Sequence, residues 1–254
     1  MSPLHVGGFG LWTPGFAGFA AWAAGTPDPT VVAPRADILP PTLRRRATPH
    51  ASRVAVVAAE AATQAQVDLA RVPFVLGSAL GEQTGLEILE ELRRGEGMPS
   101  PTRFHNSVHN GPVAYLSIAT GNRGFSTTVA AGGETPAAAL LEAAAYLSER
   151  GGDLLLVFAD DPPVPPFSIE NPYPPLAVAL HLSAEPGPTT RAVLHGPRQT
   201  PSGAPRVPAP FADHSCAGGL ALATAAWNGT EGEVALGPEG DRGWVVLVSP
   251  WRPA

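Results

Sequence analysis

STTVAAGGETPAAALLEAAAYLSERGGDLLLVFA, residues 126–159, is the stretch whose reading decides the fold. Ser126 to Ala130 is short and β-branched and is closed by Gly132-Gly133, which reads as a strand running into a turn. Pro136 to Arg150 is rich in Ala and Leu and carries its proline in the first turn, which predicts a helix. Leu154 to Ala159 is apolar without alternation, as expected of a strand buried on both faces. Strand, helix and strand in succession make the unit of a layered α/β domain.

The same alternation extends upstream. Residues 52 to 70 place Val54, Val57, Ala58, Ala61, Ala62 and Ala65 at 3–4 spacing, a small-residue helix able to pack closely on a neighbour. Pro73 to Gly77 reads as a buried strand, followed by a helix over 82–94 with Leu86, Leu89 and Leu92 on one face and Arg93-Arg94-Gly95 as its stop. After Pro99 and Pro101, a third helix is expected between Phe104 and Thr120. Alternation from 54 to 159 predicts a largely parallel sheet. Outside this region, residues 4 to 12 read as a Gly-rich strand entering a loop that lasts to about Pro41. Seven prolines in 160–175 predict an extended connection. Strands are expected at 176–183, 191–195 and 244–248, a Pro/Gly-rich loop at 196–210, and a helix over 214–227 capped by Asp213.

Composition narrows the chemistry. The 254 residues are 44% hydrophobic and suit one large domain or two small ones. Thirty prolines and 28 glycines approach a quarter of the chain, so long irregular connections are expected. All 16 basic residues are Arg, and without Lys there is no Schiff base, P-loop phosphate contact or lysine base. A net charge of −6 gives no footprint for nucleic acid, and Arg44-Arg45-Arg46 reads as a solvated turn. The single cysteine, Cys216, excludes a disulfide framework and a Cys-based metal cluster and suggests the reducing cytoplasm. No run of 18 apolar residues predicts a membrane span. Residues 6–25 are apolar, but Gly7, Gly8, Gly10, Pro14, Gly15 and Gly18 interrupt them and no Arg precedes Arg35, unlike an export signal.

Several polar groupings invite a functional reading. His105 and His109 stand at i and i+4, yet no third metal ligand lies nearby, and no Gly-x-Ser-x-Gly elbow exists for Ser107 or any other serine. Helix-start hydrogen bonding by Asn106, Ser107 and Asn110 suits the residue types better. Asp213-His214-Ser215-Cys216 holds every residue type of a nucleophilic site, but triad members converge from different elements, so a helix cap followed by a buried Cys is the simpler account. Gly8-Phe9-Gly10 lacks the third glycine of a dinucleotide fingerprint. Asp160-Asp161 ends a buried strand, where α/β proteins often bind ligands, but two acids before Pro162-Pro163 read as a solvated turn. The residues alone thus give an α/β domain with no complete catalytic constellation.

One segment goes further. Ser107 to Thr127, SVHNGPVAYLSIATGNRGFST, resembles the β-ketoacyl synthases: a helix bearing an Asn, a Gly-x-x-Gly turn (here Gly121 and Gly124), then the strand that leads to the nucleophile. Downstream, Gly151-Gly152-Asp153-Leu154 matches the family's Gly-x-x-Asp before a buried strand. In the family the active Cys lies nine residues after the second glycine of the turn; here that position is Gly133, which has no side chain to attack a thioester. The family's two His and Lys, supplied by a second half of the fold, have no counterpart in a chain without Lys.

More particularly, Arg44 to Ala62 with its Leu39-Pro40-Pro41 lead, the Ser-Val-His-Asn segment, the Ala-Ala-Gly-Gly-Glu-Thr stretch with its helix, and the strand Ala177 to Leu182 resemble the short β-ketoacyl synthase-like proteins of type II systems, notably those making aryl polyenes. The resemblance implies a thiolase-like layered α/β/α fold, a single half of the ketosynthase fold, as one domain over 1–254, best matched over 104–160 and divergent over 185–254. It implies a noncatalytic chain-length factor without cofactor or metal, paired with a full-length β-ketoacyl synthase and reaching the acyl carrier protein through that complex. In the thiolase-type dimer the strand before the nucleophile, here about 125–130, pairs antiparallel across the two-fold, and the helix near 105–119 packs on the same surface. Interface contacts are therefore expected from Asn110, Tyr115, Phe125, Thr127 and Val129, and tunnel-lining, length-setting contacts from Leu80 and Phe104. Two other readings remain open: an independent acyl-thioester enzyme, an acyltransferase or hydrolase, using His109 or Cys216, and a homodimeric acyl-binding protein whose 125–130 strand pairs with itself.

Overall fold

The computed structural model of the chain describes residues 2–95, 97–98, 100–165, 167, 170 and 172–253. Among these, nine strands form one sheet: β1 Leu4–Thr13, β2 Phe16–Ala17, β3 Phe74–Gly77, β4 Ser126–Val129, β5 Asp153–Asp160, β6 Leu176–Ser183, β7 Ala192–Ser202, β8 Gly232–Ala235 and β9 Gly240–Pro250. The order is β4-β3-β5-β6-β1-β7-β9-β8, with β2 turned back on β1. The helices are α1 Phe19–Ala23, α2 Pro41–Arg44, α3 Pro49–Ala65, α4 Thr84–Arg94, α5 Pro101–Asn106, α6 Gly111–Thr120, α7 Thr135–Arg150 and α8 Ala217–Asn228.

The absence of alternation in β5 has the expected cause. Leu154, Leu156 and Phe158 enter one core with Leu140 and Leu147 of α7 and Leu220 and Leu222 of α8; Leu155, Val157 and Ala159 enter a second with α3 and α6. The sheet is thus the middle layer of an α/β/α sandwich. On the α3 side the approach is close because both partners are small: a Cβ on Gly8 would stand 2.2 Å from the Ala61 carbonyl oxygen, and one on Gly10 would stand 2.1 Å from that of Val57. The Glu60 carboxylate of α3 ties the end of β1 to the start of α1, accepting from the Leu11 amide at 3.0 Å and the Phe19 amide at 2.7 Å.

Several expectations are corrected. The sheet is mixed, and only the β3–β4 and β3–β5 pairings are parallel. A parallel neighbour needs a crossover long enough for a helix, and the proline-rich stretch after β5 returns β6 antiparallel instead. The helix expected over 104–120 is two, because Pro112 has no N–H to carry α6 back into the Ser107–Asn110 turn. The loop expected before Pro41 contains β2 and α1; Phe19, at a ring-centroid distance of 5.3 Å from Phe9, anchors this short helix, whose N-cap Gly18 has no side chain to offer. The loop expected at 196–210 begins as strand, since β7 carries Pro197 and Pro201 beside shifts of register against β9. Asp213 is exposed and caps nothing: α8 starts after Cys216.

Candidate functional site

The three parallel strands end together, at Gly77, Val129 and Asp160, and the polar groups of interest gather past those carboxyl ends. From Gly77 the chain enters a turn, Ser78 to Gly81, that leads to α4. Asp160, read from sequence as part of a solvated turn, is fully buried. Its Oδ1 accepts from the Ser78 hydroxyl (2.7 Å) and the Leu80 amide (3.0 Å), and its Oδ2 from the Ala79 amide (2.8 Å) and the Ser215 hydroxyl (2.5 Å). Asp161 is no free acid either: it pairs with Arg53 of α3, itself buried beneath the Trp12 ring. Sequence reasoning missed this arrangement because the partners are distant along the chain; the only signal was the position of the two acids at the carboxyl end of a buried strand.

Beside this polar cluster lies an apolar cleft of about 680 Å³ between the Ser78–Gly81 turn, α4 and α5, lined by Leu80, Leu86, Leu89, Phe104, Pro163 and Phe167 among others. Leu80 and Phe104, the two length-setting candidates, meet here, and their side chains are exposed. Glu82 also lines the cleft. Its Oε1 accepts from the Thr48 hydroxyl at 2.6 Å, and burial, aided by Asp161, pushes its pKa up to about 7 against the pull of Thr48 and Arg53. His109 contacts the Ser78 carbonyl through Nε2 at 2.8 Å, so it serves this turn and does not join His105. His105 instead meets the Tyr115 ring edge-on, with 5.6 Å between the ring centroids. His50 is buried nearby, and desolvation, with Arg53 and His109 adding, pulls its pKa down to about 3.

Gly133 lies in a 3-10 turn between β4 and α7, at the rim of a smaller hollow of about 300 Å³ lined also by His214, Ser215 and Pro238. A Cβ at this position would stand 2.7 Å from Pro238 Cγ, so the ring fills the space that a side chain would need. Cys216 is fully buried, and desolvation together with Asp160 raises its thiol well above the ordinary range, which makes it a poor nucleophile. His214 packs on the Tyr173 ring at 4.2 Å and accepts from the Cys216 amide through Nδ1; burial draws its pKa down to about 3. The four residues Asp213 to Cys216 therefore form no relay. Among the described residues no group of three His, Cys, Asp or Glu is placed to hold a metal, and no helix is long and apolar enough to cross a membrane.

The interface candidates divide. β4 is an edge of the sheet, and it carries the half-buried Thr127 and Val129. Phe125, 37% exposed, stacks on Tyr146 of α7 just ahead of it, and Asn110 is exposed where α6 begins. Tyr115 differs. It is 3% exposed, and its hydroxyl lies 2.9 Å from the Arg46 carbonyl and 2.8 Å from Asn106 Oδ1, so it is a core residue behind this surface and not a contact on it. Asn106 also donates to the Arg46 carbonyl, which replaces the helix-start role expected for it.

The sequence from 19 to 236 matches the family described as the β-ketoacyl synthase N-terminal domain. No curated protein matches. Among solved structures, the ketosynthase ApeO in complex with its chain length factor ApeC from Xenorhabdus doucetiae contains a chain that superposes with a TM-score of 0.72 at 22% identity, over 98% of this chain and 100% of that one. The ishigamide ketosynthase/chain length factor gives 0.70 at 15%, over 98% and 99%. AntDE:AntF, a type II polyketide synthase acyl-carrier protein in complex with its ketosynthase bound to the hexaketide, gives 0.73 at 14%, over the whole of both chains. At such identities the shared property is the fold, a thiolase-like layered sheet.

Proposed function

The chain belongs to the family of β-ketoacyl synthase N-terminal domains, and from that premise we propose that it is a noncatalytic subunit that pairs with a full-length ketosynthase and shapes the acyl tunnel of the pair, as a chain-length factor in polyketide or aryl polyene synthesis. The observation that carries this reading is the convergence of Leu80 and Phe104 on one apolar cleft, past the carboxyl end of a sheet whose edge strand β4 is open to a partner. Two of the similar structures hold a ketosynthase with a chain length factor, and a third holds an acyl-carrier protein with its ketosynthase.

β4 supplies backbone donors and acceptors, and the exposed Val108, Ile118 and Phe125 supply apolar area for an interface. Leu80 and Phe104 then act by volume. One methylene more or less in an apolar pocket discriminates by only about 1–3 kcal/mol, so length is limited by steric exclusion at the tunnel end and needs no chemistry from this chain. Gly133, with Pro238 against it, fits a partner that leaves the covalent step to the synthase. Contacts to the synthase are assigned to Asn110, Phe125, Thr127 and Val129, with Tyr115 supporting them from the core.

Co-expression with a full-length ketosynthase and carrier protein of a type II system tests the pairing. The expected result is a 1:1 complex in sedimentation that condenses malonyl units on the carrier protein, whereas this chain alone does not. A chain that stays alone beside that synthase, or that turns over acyl thioesters by itself, would sink the reading.

A further inference from the structure

Asp160 is buried more deeply than its place at a strand end requires, and every donor that reaches it belongs to one of two distant segments. Three consecutive residues of the turn after β3 hang on it: the Ser78 hydroxyl, the Ala79 amide and the Leu80 amide. The fourth donor is the Ser215 hydroxyl, and the Cys216 thiol at 3.7 Å is a weak fifth, both from the residues that start α8. The last backbone ladder bond available to the turn is Ser78 N to the Val129 carbonyl. Beyond it, the Ala79 and Leu80 amides have the carboxylate as their acceptor, and the Gly81 amide closes the turn on Ser78 Oγ at 3.0 Å. Ala79 and Leu80 of this turn both line the cleft, and Leu80 is the larger side chain.

We infer that Asp160 is a positioning residue for chain-length selection: its carboxylate sets the height of Leu80 over the cleft and ties that height to the seating of α8. This rests on the reading of the cleft as the tunnel end. The device is specific to a carboxylate. Each oxygen receives one backbone amide, Leu80 on Oδ1 and Ala79 on Oδ2. The hydroxyls of Ser78 and Ser215 can rotate to accept, but backbone amides cannot. An Asn side chain would therefore point its NH2 at a backbone N–H in either orientation and leave that amide without an acceptor in a dry site. Asp161, held by Arg53, keeps the strand end itself in place when the turn is released.

The test uses the complex with the full-length ketosynthase and compares Asp160→Asn, Ser78→Ala, Leu80→Ala and the Asp160→Asn/Leu80→Ala double variant by amide exchange and by mass spectrometry of the products. Asp160→Asn is expected to speed exchange of the 78–81 segment about tenfold, the equivalent of one lost hydrogen bond, with the remaining sheet protected as before. Products should lengthen in the direction that Leu80→Ala gives, and the double variant should add nothing to Leu80→Ala alone. Ser78→Ala, which frees the Gly81 amide and one carboxylate site, should act in the same direction and carries the test if Asp160→Asn does not fold. Unchanged exchange at 78–81, or unchanged products from a folded, paired variant while Leu80→Ala lengthens them, would overturn the role of Asp160 and leave the proposed function standing. Leu80→Ala without effect on product length would overturn the tunnel reading and this inference with it.

Discussion

At position 133 a hydrogen atom is what the surroundings accept. The Pro238 ring stands where a side chain would grow, so Gly133→Cys would not recreate a working nucleophile and should cost about 1–3 kcal/mol as an overpacked site. Chemical denaturation should show the loss, Pro238→Ala in the same chain should restore most of it, and neither variant should load an acyl group from a carrier-protein thioester. The turn at Gly132-Gly133 was legible, because two glycines after a short β-branched run mark the end of a strand locally. Asp160 was not legible: its neighbours Asp161, Pro162 and Pro163 have the composition of a surface turn, and the donors that bury it come from Ser78 to Leu80 and from Ser215. A sequence shows residue types well, but it does not show which distant hydroxyl will reach a carboxylate. The same limit hid the pairing of Arg53 with Asp161 and of Thr48 with Glu82.

Among the elements, those with one strong apolar period were readable. α3 and α7 lie where their Ala and Leu spacing put them, and β3, β5 and β6 are the continuous apolar runs. Elements shaped by proline were misread in both directions: Pro112 divided an expected helix, while Pro197 and Pro201 sit within β7 because register shifts excuse their missing amides. The register of β4 leads to a prediction at this scale. Phe74 pairs with Ser126, and the Phe74 amide donates to Phe125 while that of Ser78 donates to Val129, so residues 125, 127 and 129 turn their backbone groups to β3. Ser126 and Thr128 therefore turn theirs outward. Thr128→Pro removes one outward donor and none of the inward ones, so the chain should keep its melting temperature within a few degrees and lose the ketosynthase from co-purification. Equal loss of stability and of pairing would mean that β4 is not the interface.

The molecule as a whole carries opposed titrations. His50 and His214, both held near 3 against an unfolded value of 6.5, make unfolding take up protons, so the stability they lend is full above about pH 6.5 and drains as pH falls toward 3. Glu82, raised from 4.5 to about 7, works the other way: its contribution is present below 4.5 and is lost as pH rises through 7. Asp161, raised by burial beside it, adds to the Glu82 direction. Urea midpoints between pH 4.5 and 7.5 should therefore fall less on acidification in the native chain than in Glu82→Gln, in which the two histidines act without that opposition. Parallel profiles would contradict the assignment. The sheet order has a consequence in time. β1, buried along its whole length, lies between β6 and β7, and both of its long neighbours follow it by more than half of the chain. On a ribosome adding roughly 5–20 residues per second, that strand waits on the order of ten seconds for them. During that interval its apolar residues lack both neighbours, so slowing translation ahead of residue 176 should lower the folded yield of this chain.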